Sequence, residues 1–176
     1  MHCPLDCEYL REARRRETLP DVNPDTFPNQ DIAITEAFLR EHEQVLLYLS
    51  VHLMQTAQAI PNVVDADVKD ALDALVRTYR TLQSGLIYET RPDNMLAAAI
   101  CERMLASVEE LRKVSAERTG MQTVRDADAL GVFAFLQRME IQQNNGRRLG
   151  RAFIDFLRDQ FPPVEQAPET TSSLIV

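Results

Sequence analysis

The stretch Met95-Leu96-Ala97-Ala98-Ala99-Ile100-Cys101-Glu102-Arg103-Met104-Leu105-Ala106-Ser107-Val108-Glu109-Glu110-Leu111 decides the fold class. Its apolar residues Met95, Leu96, Ala99, Ile100, Met104, Val108 and Leu111, continued by Val114, recur at helical spacing. Ala, Leu, Met, Glu and Arg are strong helix formers, so local preference and pattern agree. Pro92 suits a first helical position and Gly120 supplies a C-terminal stop, which predicts one long amphipathic helix between them.

The same reading extends in both directions. Between Asp31 and Ile60, residues Ile32, Leu39, Leu46, Leu49, Leu53, Ala57 and Ile60 form a stripe that Ile34, Phe38, Val45 and His52 widen, and Pro61 stops it. A second helix is expected from Asp65, an N-cap type of residue, with Val68, Leu72, Leu75, Val76, Tyr79, Leu82 and Leu86 on one side and Gly85 near its end. The last long helix is expected from Arg125 to Phe161 on Val132, Phe135, Leu136, Met139, Leu149, Phe153, Phe156 and Leu157, with Pro162 and Pro163 ending it. At ~1.5 Å per residue it would exceed ~50 Å, and a bend is expected near Gln142 to Gly146. Short connections favour antiparallel neighbours, so the expected architecture is all-α: an up-down bundle of four long helices with a short N-terminal helix.

Composition agrees with this architecture. Of 176 residues, 45% are hydrophobic, too many for a disordered chain, and only 5 are glycine, too few for a turn-dense β sandwich. A formal charge of −8 repels phosphate backbones and argues against nucleic-acid binding. No apolar stretch reaches the ~18 residues that span a bilayer, the N-terminus lacks the apolar region of a secretory signal, and three cysteines make a secreted disulfide framework unfavourable. The expectation is a cytoplasmic protein with no membrane partner. Residues 1–30 read as a short helix, from about Pro4 to Glu17, and a Pro-rich connector; 31–161 as the helical bundle domain; and 162–176 as a flexible tail.

The residues that carry chemistry are few. His42 and His52 are ten residues apart on one helix, ~15 Å along its axis, and cannot chelate one ion together. Neither has a glutamate three residues before it, which excludes the Glu-x-x-His pattern of di-iron bundles. Glu36, Glu43, Glu89 and Glu102 read as ordinary polar-face residues, and Cys101, beside Ile100, as a small buried hydrophobe. No phosphate loop, nucleophile elbow or dinucleotide fingerprint is present, so no catalytic set emerges. In Gln142-Gln143-Asn144-Asn145-Gly146-Arg147-Arg148-Leu149-Gly150, two Asn and two Gly interrupt a helical pattern. Gly146 and Gly150 would admit a close neighbouring helix or a bend, and Arg147, Arg148 and Arg151 are candidates for a polar patch that binds a partner or small ligand.

At the front, Cys3 and Cys7 stand one helical turn apart at a helix N-terminus, where the partial positive charge favours thiolate, the form that binds zinc. His2 is adjacent, but two cysteines alone do not close a tetrahedral site. The string Cys3-Pro4-x-Asp6-Cys7-x-Tyr9-Leu10, followed by an Arg/Glu-rich helix and a long helical body, resembles an uncharacterised bacterial family with a cysteine-rich N-terminal head. In that family a Cys-x-x-Cys-type segment lies upstream of this string. The resemblance implies a small zinc-type site with Cys3 and Cys7 as metal ligands, its other ligands coming from upstream sequence or a second chain; it does not extend to His2 and implies no activity.

These readings converge on a non-enzymatic helical-bundle protein that acts by contact with a protein partner or by self-association. A structural zinc module on Cys3 and Cys7 and a small-ligand-binding bundle are the alternatives.

Overall fold

The structure, a computed structural model, describes residues 23–121 and 124–161. Among them the chain forms six α-helices and no strand: α1 (Glu36–Glu41), α2 (Glu43–Ala59), α3 (Asp65–Gln83), α4 (Met95–Thr119), α5 (Asp126–Gln143) and α6 (Ala152–Gln160). The all-helical expectation is met, and each boundary that moved has a local cause.

The first predicted helix starts late and breaks once. Thr35 caps α1 by accepting the Phe38 N–H, and at His42 the backbone leaves helical geometry between α1 and α2. Asn94, not Pro92, begins the decisive helix: its side chain accepts the N–H groups of Leu96 and Ala97, and Gly120, in the left-handed region at φ 72°, closes it. The expected continuous helix from Arg125 to Phe161 is two helices. The side chain of Asn144 accepts the Gly146 N–H at 2.8 Å, that of Asn145 accepts the Arg147 N–H at 3.1 Å, and Gly146 takes φ 71°. Asparagine side chains thus replace the helical ladder with local turns, so Gly146 and Gly150 lie in a connection rather than on a helix face.

Cross-helix contacts fix the directions of the long helices. Asn94 reaches Asp67, Cys101 reaches Ala71, and Arg112 lies over the Tyr79 ring; the numbers rise together, so α3 and α4 run parallel. His52 meets Ser107 while Tyr48 meets Glu110, so α2 and α4 are antiparallel. Gln137 bonds to Asp73 and Phe133 packs on Tyr79, so α3 and α5 are antiparallel as well. The order is therefore up-down-down-up, in place of the strict up-down alternation expected from short connections. The segment from Ser84 to Asn94 makes the difference, because it returns along α3 before α4 begins.

The core explains this arrangement. Leu49, Leu53 and Ala57 of α2, Leu72, Leu75 and Tyr79 of α3, Ile100, Met104 and Val108 of α4, and Phe153 and Leu157 of α6 are buried. Helix α5 is different in kind: every residue from Asp128 to Ala134 is buried. A helix apolar on all sides must be covered on all sides. Helices α2, α3 and α6 cover it, together with the N-terminal segment, which Arg138 holds through the carbonyl oxygens of Asn29 and Ile32.

Candidate interaction surface

Among the described residues, the end of the molecule where α3 and α4 finish carries most of the large exposed apolar side chains. Leu86, Ile87 and Tyr88 are 62%, 97% and 66% exposed, and Met121, just past α4, is 70% exposed. Leu86 was expected to extend the α3 stripe into the core. Instead α3 ends at Gln83, Gly85 adopts φ 78°, and the Leu86 N–H returns to the Thr81 carbonyl at 3.0 Å. That left-handed turn points the chain away from the core.

The turn is tied down. The Thr81 hydroxyl lies 2.7 Å from the Thr78 carbonyl oxygen and 2.9 Å from that of Tyr88, and the Thr90 N–H donates to the Thr78 hydroxyl at 2.8 Å. Two α3 threonines thus hold the backbone from Tyr88 to Thr90, while the apolar side chains just before it face solvent. Side chains presented from an already ordered backbone lose less entropy on burial against a partner.

Charged groups brace the same end from within. Arg112 donates to Asp126 at 2.6 Å and to the Val124 carbonyl at 3.1 Å, fastening the end of α4 to the start of α5. Asp128 accepts the Arg125 N–H at 2.9 Å and lies 3.2 Å from His42 Nε2, while His42 Nδ1 lies 2.9 Å from the Phe38 carbonyl. Both ring nitrogens therefore face acceptors. Burial would raise the Asp128 carboxyl, but the Arg125 side chain and backbone outweigh it and hold it below the usual range.

The residues singled out from sequence are scattered. Cys3, Cys7 and His2 lie outside the described residues. Arg147, Arg148 and Arg151 are each exposed in the connection between α5 and α6, as is Leu149, which is not part of a helical stripe. This connection is at the opposite end of the molecule from Leu86–Tyr88, since Gly150 accepts the N–H of Asp65 at the start of α3. The His52 ring packs at a tilt against Tyr48, with centroids 4.1 Å apart, and is bonded to Ser107. Glu36, Glu43, Glu89 and Glu102 are exposed, and no group of three or more metal-ligating side chains occurs among the described residues. Cys101 is buried, and burial pushes its thiol up to about 12.

Sequence reading passed over the buried carboxylates Asp67, Asp128 and Glu140, and took Asp65 only as the start of a helix. A signal for Glu140 existed: it stands four residues after Leu136 and seven after Phe133, on the face those two bury.

The chain matches no protein-family model, no curated protein and no solved structure.

Proposed function

We propose that this chain is a non-enzymatic cytoplasmic protein that works by protein–protein contact, with the Leu86-Ile87-Tyr88 turn as its docking element and a second copy of the chain as the first occupant. The observation that carries this reading is the turn itself. Ile87 is 97% exposed although the neighbouring backbone is held by Thr78 and Thr81. Large apolar side chains grouped on an ordered surface are characteristic of contact sites. The opposite charges of Glu89 and Arg91, two residues apart beside the turn, suit a two-fold contact in which each faces the other's counterpart.

Light scattering across a concentration series is the test. The intact chain is expected to associate, and Ile87→Glu to shift it to monomer with unchanged helix content. A photoreactive residue at position 87 separates self-contact from contact with another protein. A strictly monomeric chain that forms no adduct from position 87, with itself or in cells, overturns the proposal.

A further inference from the structure

Glu140 is the least compensated charged side chain in the core. It is 1% exposed, and its Oε2 atom is buried with no hydrogen-bond partner among the described residues. Its Oε1 accepts a bond from the side-chain amide of Asn144, the residue at which α5 ends. Asn144 in turn accepts the Gly146 N–H, so the carboxyl is linked through one side chain to the connection that leads into α6. An amide donor satisfies one oxygen of a carboxyl group, and a proton on the other makes the group neutral; an ionised group would leave a full charge on a dry oxygen.

We propose that the Glu140 carboxyl is a proton-operated latch on α6: protonated, it lets the connection and α6 seat on the bundle, and ionised, it releases them. Of the groups around it, the Asn144 amide favours the charged form and is outweighed by burial, the largest cause. From α3, Asp65 and Asp73 oppose its ionisation and only Lys69 favours it. From α6, Asp155 acts on Asp65 and lies 3.2 Å from Arg158. The titratable side chains of α2 are engaged elsewhere, with Glu43 exposed at its start and Tyr48 and His52 against α4. Burial is the largest cause, and it pushes Glu140 up to about 7.

What the latch releases is defined by the contacts of α6. The helix has nine residues and is attached at its start by the N–H groups of Phe153 and Ile154, which donate to the Asp65 carboxylate at 3.1 Å. Phe153, Ile154 and Leu157 are its buried side chains. So short a helix is stable only while this face is docked. Release therefore exposes a fresh apolar surface at the end of the molecule opposite Leu86–Tyr88.

Amide hydrogen exchange of the intact chain, corrected for intrinsic rates, tests this. Between about pH 6 and about pH 8.5, α6 is expected to lose about tenfold in protection relative to α3, the factor that follows from moving a carboxyl from 4.5 to about 7. In Glu140→Gln that loss should vanish. Glu140→Met, which removes the charge at similar volume, gives the same expectation should the glutamine variant not fold. Equal loss in wild type and variant, or no differential loss in wild type, overturns the latch.

Discussion

The ring of Phe38 lies directly over the bare Cα of Gly131, where a β-carbon would collide with it. The contact joins α1 to the middle of the buried helix α5 and depends on a glycine in a helix interior, where glycine alone costs ~1 kcal/mol relative to alanine. The close approach is what accounts for it. Gly131→Ala is therefore expected to lower stability by about 1–2 kcal/mol, because overpacking outweighs the gain in helix propensity. Urea unfolding of Gly131→Ala, and of the same change in a Phe38→Ala background, measures this. With the ring removed, the alanine should be neutral or stabilising, and a cost that persists there would exclude the Phe38 collision as its cause.

Asp65 opens α3 but caps α6. Its carboxylate is 1% exposed and accepts the N–H groups of Phe153 and Ile154. Burial pulls its affinity for a proton up, against the backbone donors that favour the charged form. Asp65→Ala leaves those donors buried without an acceptor, and about 1–2 kcal/mol of stability should be lost. Asp65→Asn, which keeps an acceptor oxygen, should lose less. Circular dichroism melts of both variants report the order, and an alanine variant as stable as wild type would contradict the capping role.

Cys101 sits under α3, its Sγ 3.3 Å from the Ala71 carbonyl oxygen, with only 5% of the residue exposed. With its thiol pushed up to about 12, thiolate is scarce at neutral pH, and thiolate is the reactive form. In a Cys3→Ser/Cys7→Ser background, a disulfide reagent should leave native Cys101 unmodified and react only as urea unfolds the chain. Rapid labelling without denaturant would mean that α3 and α4 part readily, contrary to this packing.

Sequence alone carried the helical class, through periodicities that survive in the core: Leu49, Leu53 and Ala57, then Leu72, Val76 and Tyr79, then Ile100, Met104 and Val108 are buried where their spacing placed them. Periodicity is local, so it finds which face of a helix is apolar. It does not find the direction of the next helix or the residue at which capping ends this one. Asn94, Asn144 and Gly85 set those boundaries through hydrogen bonds and left-handed turns, which displaced Leu86 and Leu149 from the stripes expected to continue through them.

The readings against di-iron chemistry, phosphate-loop chemistry and nucleic acid also came from the chain's letters: no glutamate three residues before His42 or His52, no phosphate loop, and a net charge of −8. Tertiary structure decided what those letters do not encode. The parallel run of α3 and α4 depends on a returning segment held by Thr78 and Thr81. The exposure of Ile87 depends on where that segment leaves α3, and the isolation of Glu140 on which helices close over it. None of these is written in a single helical period: Thr81 meets Tyr88 and Thr78 meets Thr90 across a turn, and Glu140 is enclosed by helices distant in sequence, so each exists only once those segments have packed.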